Sequence, residues 1–212
     1  MVTALANGAE HIRPVATIDE ALAAKAEYPE ALLCGERHGQ RITAEQAKGT
    51  DFDLGNSPRE YTAEIVTGKT LITTTTNGTR ALRASLGARE VLVSSFLNLQ
   101  ATIDHLREAS LKRLALVCGG TFEEAAFEDT LAAGAIADAV WDLFTDDSIE
   151  DSAQIARALW LAHGASLNAS IQYALNARRL LAVPELAADV DFCLQRDTIG
   201  QVVHLDPRGW VA

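Results

Sequence analysis

The feature that most constrains the fold is a repeated change in hydrophobic period, from short apolar runs to helical spacing and back. Runs of strand length that are rich in apolar or β-branched residues occur at 31–34, 70–75, 90–94 and 113–118, and helical patterns separate them. Short strands that alternate with helices are typical of a parallel sheet covered on both faces. We therefore predict an α/β fold with three α/β/α layers, a largely parallel sheet and a helix-rich C-terminal part.

Local signals place several helix boundaries. Thr17 to Glu20 and Ser57 to Glu60 have the capping-box pattern, and Pro58 occupies a first helical position. Asn98 is predicted to open a further helix. From about residue 120 to residue 183 the pattern is mostly helical, and one late strand is predicted at 201–205. We predict a single domain over residues 1–212, with a two-lobed form, helical from about residue 120, as the alternative.

Composition limits the partners. The 212 residues carry a formal net charge of −11, so no basic stripe is available for nucleic acid or an anionic membrane. Three separated cysteines without metal-ligand spacing favour a reduced, cytoplasmic protein. No apolar run reaches the roughly 20 residues that span a bilayer. Whether the protein forms a homo-oligomer is left open by the sequence.

A threonine-rich turn predicts an anion site. Thr70 to Thr75 favours a strand, and Asn77-Gly78 breaks it because both residues tolerate positive φ. Helical spacing follows, with Thr79 as the expected N-cap. Such a strand, turn and helix directs backbone N–H groups and a helix dipole at one spot. An ordinary β–α connection is the alternative. The predicted cradle comprises Thr76, Asn77, Gly78, Thr79 and Arg80.

Ligands of parallel sheets bind at the carboxyl ends of strands, where polar loops are predicted at 35–39, 50–60, 75–80 and 118–129. The last of these loops is acidic and precedes a clear helix. Acidic groups at a helix start also complement the dipole, so a structural role and a metal site remain alternatives. The acidic residues are Glu123, Glu124, Glu128 and Asp129.

Two known phosphatase chemistries fit the sequence poorly. Asp51-Phe-Asp53 resembles an aspartyl-phosphate motif, but a polar segment precedes it where a buried strand is required. Cys118 lacks the arginine that cysteine phosphatases carry six residues further on, because Glu124 stands there. The sequence therefore favours Cys118 as a small packed residue.

Several motifs together resemble the 2-phosphosulfolactate phosphatase family, and the resemblance covers nearly the whole chain. In order, they are CGERHG at 34–39, DFDLGNSPREY at 51–61, TTTNGTRAL at 74–82, CGGTFEEAAFEDTLAAG at 118–134, NARRL at 176–180 and DVDFCLQRD at 189–197. The resemblance implies an α/β fold and Mg²⁺-dependent hydrolysis of 2-phospho-3-sulfolactate to sulfolactate and phosphate, a step of coenzyme M synthesis.

A substrate of this kind carries roughly four negative charges near neutral pH, so an acidic protein must gather cations around it. The candidate cations are Arg37, Arg80, Arg178 and Arg179. The same motifs offer Asn56, Ser57, Gly119 and Gly120 to the small anionic substrate. Expected Mg²⁺ ligands are Glu36, Glu128 and Asp129, and the candidate catalytic groups are Asp53, His38 and Cys118. Glu60 could act as a metal ligand or as a general base, and the sequence does not decide between these roles.

The N-terminus departs from the family pattern. Family members usually begin with an apolar strand that ends in Asp-Val-(Leu or Phe)-Arg-Ala-(Thr or Ser), whereas this chain opens on MVTALANG, which resembles the helix after that strand. We expect Met1 to Leu5 to be helical and to lie against an edge or gap of the sheet. A non-catalytic or truncated homologue that binds small phosphorylated or sulfonated acids is therefore the alternative function.

Overall fold

Two units divide the chain in the computed structural model, which describes residues 1–122 and 124–212. The first unit comprises residues 1–93 and 203–212, and the second comprises residues 94–202. The helical part therefore begins about 25 residues earlier than the hydrophobic pattern suggested, because it includes the helix that Asn98 opens.

A mostly parallel sheet forms the core of the first unit and confirms the α/β class. Its spatial order is β1-β4-β2-β3. Strands β1, β4 and β2 are parallel, and the short β3 runs antiparallel to β2. The strands are β1 (His11–Pro14), β2 (Leu32–Arg37), β3 (Gln40–Arg41) and β4 (Thr70–Thr74). Leu33 of β2 and Ile72 of β4 pack in one apolar cluster with Ala21 and Phe52.

Four α-helices accompany this sheet within the described residues: α1 (Val2–Ala6), α2 (Ile18–Glu27), α3 (Ala63–Val66) and α4 (Gly78–Ala84). The predicted N-terminal helix is confirmed. The Thr17 cap is confirmed as well, since its hydroxyl accepts a hydrogen bond from Glu20 N. The capping box predicted at Ser57 to Glu60 is wrong. Pro58–Glu60 is a single 3-10 turn, and the Glu60 carboxylate accepts from Gly55 N at 2.8 Å instead.

The second unit is helical. Its helices are α5 (Leu99–Glu108), α6 (Phe127–Ala139), α7 (Asp151–His163), α8 (Leu167–Ser170), α9 (Leu175–Leu181) and α10 (Pro184–Cys193). Helices α6 and α7 approach closely at Gly134, where an added Cβ would lie 2.0 Å from the Ala156 carbonyl oxygen. The predicted helix start at Asn98 is confirmed. Within the described residues, no helix is both long enough and apolar enough to cross a membrane.

Three predicted strands are wrong. Residues 90–94 and 201–205 make isolated bridges, including Leu92 with His204, and residues 113–118 have no regular secondary structure. An apolar run indicates a tendency to be buried, but a strand also needs a neighbour whose N–H and C=O groups match its own. Val117, which is 58% exposed, shows that the apolar run at 113–118 is not even uniformly buried.

Candidate functional site

The carboxyl ends of β2 and β4 lie side by side, as the sequence predicted for a parallel sheet. Gly35 pairs with Thr74 in the register of the two strands. A Cβ on Gly35 would lie 2.1 Å from the Thr74 carbonyl oxygen, so only glycine permits this approach. The predicted polar loop at 35–39 is in fact the end of β2 followed by a two-residue turn, His38-Gly39, with positive φ at both positions.

Glu36 links two neighbouring turns. One of its carboxylate oxygens accepts a hydrogen bond from Thr76 N at 2.7 Å, and the other accepts from Gly39 N at 2.9 Å. The residue is only 7% exposed. The sequence predicted Glu36 as a metal ligand. In the structure each carboxylate oxygen accepts a backbone N–H, so Glu36 braces the two turns, and its role as a metal ligand stays a prediction.

Arg37 is directed at the end of β4. Its guanidinium donates to the hydroxyl of Thr74 at 3.1 Å, to the Thr74 carbonyl oxygen at 3.3 Å and to its neighbour's carbonyl, Glu36 O, at 2.6 Å. The cation is therefore held beside the threonine turn by three acceptors of the strand ends. Its predicted contact with an anion stays a prediction.

The threonine turn differs from its prediction in two details. Asn77, rather than Thr79, is the N-cap of α4. The buried Thr79 hydroxyl donates to the Thr75 carbonyl oxygen at 3.2 Å, so it stabilises the turn from within. The turn does not use the tolerance of Asn77 and Gly78 for positive φ, since neither residue adopts it. The strand ends because Thr75 and Thr79 bond to each other, which closes the turn.

Thr76 carries an unsatisfied polar atom. Its backbone N–H is taken by Glu36, but its hydroxyl oxygen is buried and has no hydrogen-bond partner. Across the described residues, the one other buried side-chain oxygen in this condition belongs to Glu128. Buried polar atoms are almost always paired in proteins, so an orphan inside a predicted anion cradle indicates a place for a ligand.

Other predicted residues of this unit are placed as follows. Asp53 is exposed, and its carboxylate accepts from Leu33 N at 2.8 Å, near the start of β2 and not at the carboxyl end. This position gives Asp53 a structural contact, and its catalytic role stays a prediction. His38 is exposed at the hairpin tip with φ of 57°. Asn56 and Ser57 follow Leu54, which bridges to Cys34 of β2.

A second polar group lies in the helical unit, where α6 begins. Glu128 and Asp129 occupy the first turn of this 13-residue helix. One Asp129 oxygen accepts a hydrogen bond from Gly120 N at 2.6 Å. This bond holds the Gly119-Gly120 segment next to the start of α6. Gly120 has φ of 70°, and a Cβ there would lie 2.8 Å from the Glu124 carbonyl oxygen. The predicted acidic residue Glu123 lies outside the described residues.

Asn176, on α9, completes this acidic group. Its side-chain nitrogen donates to a Glu128 oxygen, Oε1, and to the Thr121 hydroxyl, each at 2.7 Å. The other Glu128 oxygen, Oε2, is buried and has no hydrogen-bond partner among the residues that the structure describes. Sequence reasoning missed Asn176 as a site residue. It opens the NARRL motif, but its 48-residue separation from Glu128 leaves no periodic signal.

Burial disfavours negative charge in this group. It raises the pKa of the Asp129 carboxyl, with the Glu128 charge adding to the effect and the Gly120 N–H opposing it. Partial desolvation, together with the Asp129 charge, also raises the pKa of the Cys118 thiol. At neutral pH Cys118 is therefore a protonated thiol, which is a poor nucleophile. Cys118 is nevertheless exposed, so its prediction as a small packed residue is wrong.

The donor set fits a divalent cation. Two adjacent carboxylates, one with a buried bare oxygen, are hard oxygen ligands of the kind Mg²⁺ uses. A cation would also offset the burial and the Glu128 charge that together raise the pKa of Asp129. By contrast Arg178, a predicted substrate cation, is exposed and donates to the carbonyl oxygens of Gln172 and Tyr173, which stabilises the start of α9.

The first unit is thus an α/β sheet with a polar turn at its strand ends, and the second is a helical unit with a paired-carboxylate group. The family profile described as 2-phosphosulpholactate phosphatase matches residues 1–207. The chain belongs to the 2-phosphosulfolactate phosphatase family, and this membership supports a phosphatase function.

Relatives from several bacteria carry the description "Probable 2-phosphosulfolactate phosphatase". The protein from Clostridium acetobutylicum is 35% identical over 94% of this chain and 81% of its own length. The protein from Thermotoga maritima is 38% identical over 97% of this chain and 83% of its own length. The protein from Pseudothermotoga lettingae is 40% identical over 93% of this chain and 80% of its own length.

Proposed function

We propose that this protein is a cytoplasmic Mg²⁺-dependent phosphatase that hydrolyses 2-phospho-3-sulfolactate to sulfolactate and phosphate, the reaction that serves coenzyme M synthesis. Membership of the family supports the reaction class, and the names of the relatives support the substrate. Within the first unit, the polar turn at residues 74–80 is the proposed anion cradle. Within the second unit, the paired carboxylates of α6 are the proposed ligands for the cation.

The observation that carries the proposal is the buried, unpaired hydroxyl of Thr76. An unsatisfied buried hydroxyl destabilises the unliganded protein by about 1–3 kcal/mol. A phosphate or sulfonate oxygen accepts the missing hydrogen bond and removes this penalty. Arg37 adds a cation close by, since its guanidinium is fixed on Thr74 two residues earlier.

Glu128 and Asp129 are the residues that would hold Mg²⁺. A cation held by these carboxylates would supply positive charge of the kind that phosphoryl transfer uses. The chain's own contribution is to orient both carboxylates. The Gly120 N–H orients Asp129, and the Asn176 amide orients Glu128.

Thr76→Val tests the cradle by removing the hydroxyl while retaining the shape of the side chain. We expect the unliganded variant to be more stable than the parent by about 1 kcal/mol, because the unsatisfied group is gone. Its affinity for phosphate and for sulfolactate should fall roughly tenfold, since a hydrogen bond to a charged group is worth about 1.5–3 kcal/mol. Thermal unfolding and titration calorimetry measure the two effects.

Thr79→Val is the matched control, because its hydroxyl is already bonded to Thr75. The same substitution there should lower stability, by about 1 kcal/mol. A Thr76→Val variant that binds both anions as tightly as the parent would show that the turn is only a connection. Anion binding without turnover would favour the non-catalytic alternative.

A further inference from the structure

We infer that Asn176 is a positioning residue that fixes the Glu128 carboxylate so that Oε2 is the oxygen available to a divalent cation. The inference rests on the proposed Mg²⁺ site at the start of α6. It concerns how the chain prepares that site, and it assigns a role to a residue that neither the motifs nor the relatives' names assign.

The hydrogen bonds of Asn176 define its orientation. Its side-chain nitrogen has two hydrogens, and both are used, one on Glu128 Oε1 and one on the Thr121 hydroxyl, each at 2.7 Å. The amide is therefore clamped between the loop that precedes α6 and the first turn of α6. Rotation of the Asn176 side chain would break both bonds together.

The two oxygens of Glu128 are consequently unequal. Oε1 accepts a hydrogen bond from the Asn176 amide, whereas the buried Oε2 accepts none from residues 1–122 and 124–212. A carboxylate with one hydrogen-bonded oxygen and one bare oxygen is arranged as metal-ligating carboxylates are, in which outer-shell groups hold the ligand. Without a cation, the bare oxygen carries a desolvation penalty that nothing offsets.

The backbone on both sides of Asn176 is held by the core of the helical unit. Ala174 and Ala177 are buried and pack with Ile171, Val190 and the partly buried Phe127, the first residue of α6. The same apolar cluster thus fixes the helix that carries Asn176 and the start of the helix that carries Glu128. Preorganisation of this kind lowers the entropic cost of assembling a cation site.

Direct cation binding to the full chain tests the inference. Mg²⁺ and Mn²⁺ are titrated by calorimetry into the parent and into Asn176→Ala, Glu128→Gln and Leu175→Ala. Asn176→Ala should weaken cation binding 10–100-fold, as loss of an outer-shell partner does. Glu128→Gln should weaken it at least as much. Leu175→Ala alters an exposed neighbour on the same helix and should leave the affinity unchanged.

A second readout separates positioning from simple stability. In Asn176→Ala the Mg²⁺ concentration for half-maximal turnover should rise, and the turnover number at saturating Mg²⁺ should return close to that of the parent. Loss of thermal stability with unchanged cation affinity would overturn the inference and leave the proposed Mg²⁺ site intact. A parent chain that binds neither cation would overturn both.

Discussion

Hydrolysis of 2-phospho-3-sulfolactate is expected to stop after exhaustive chelation of divalent cations and to return on addition of Mg²⁺. The chain is acidic, with a formal net charge of −11, and the proposed substrate adds roughly four negative charges. A cation is the simplest group that neutralises this repulsion, and metal ions contribute several kcal/mol to phosphoryl transfer. We expect turnover to fall about 100-fold or more, measured as phosphate release.

Cys118→Ser discriminates between this mechanism and a thiol nucleophile. Partial desolvation and the nearby Asp129 charge raise the pKa of the Cys118 thiol, which therefore stays protonated at neutral pH. The serine variant should therefore retain the activity of the parent and the same pH profile. Turnover that persists in chelator but disappears in Cys118→Ser would establish the opposite assignment, in which Cys118 forms a covalent intermediate.

Local signals predicted much of the fold. Thr17 caps α2 as expected, because its contact with Glu20 lies within one helical turn. The threonines of β4 form the predicted strand, and Asn98 opens α5. In each case the decisive interaction joins residues close in sequence, or the burial of one segment is enough to decide the structure.

Features that depend on distant partners were not predictable in the same way. The apolar run at 113–118 has the composition of a strand, yet its sequence does not encode whether a neighbouring strand is present. The sequence offered no signal that the Glu36 carboxylate accepts a hydrogen bond from Thr76 N, which lies 40 residues away. Asn176 meets Glu128 through the packing of α9, so no spacing rule could identify it.

Glu36 is expected to be the side chain whose loss most affects the polar turn. Its buried carboxylate satisfies two backbone N–H groups from different turns. Glu36→Gln retains one acceptor and places an N–H₂ group against the other donor, so we expect a loss of about 1–3 kcal/mol of stability. Glu36→Ala leaves both N–H groups unpaired and should lose about twice as much. Thermal unfolding measures both, at about 2–4 °C per kcal/mol.

The control is Glu27→Gln, the same substitution in an exposed ion pair with Arg13, for which less than about 1 kcal/mol is expected. Because Glu36 holds the Thr76 backbone, its variants should also bind phosphate more weakly, even under conditions where they are fully folded. If Glu36→Gln retained the stability of the parent but lost cation binding, the carboxylate would be a metal ligand after all. If Glu36 instead holds the two turns together, its variants should lose much stability while their cation affinity stays unchanged. The two measurements together therefore decide between the two roles.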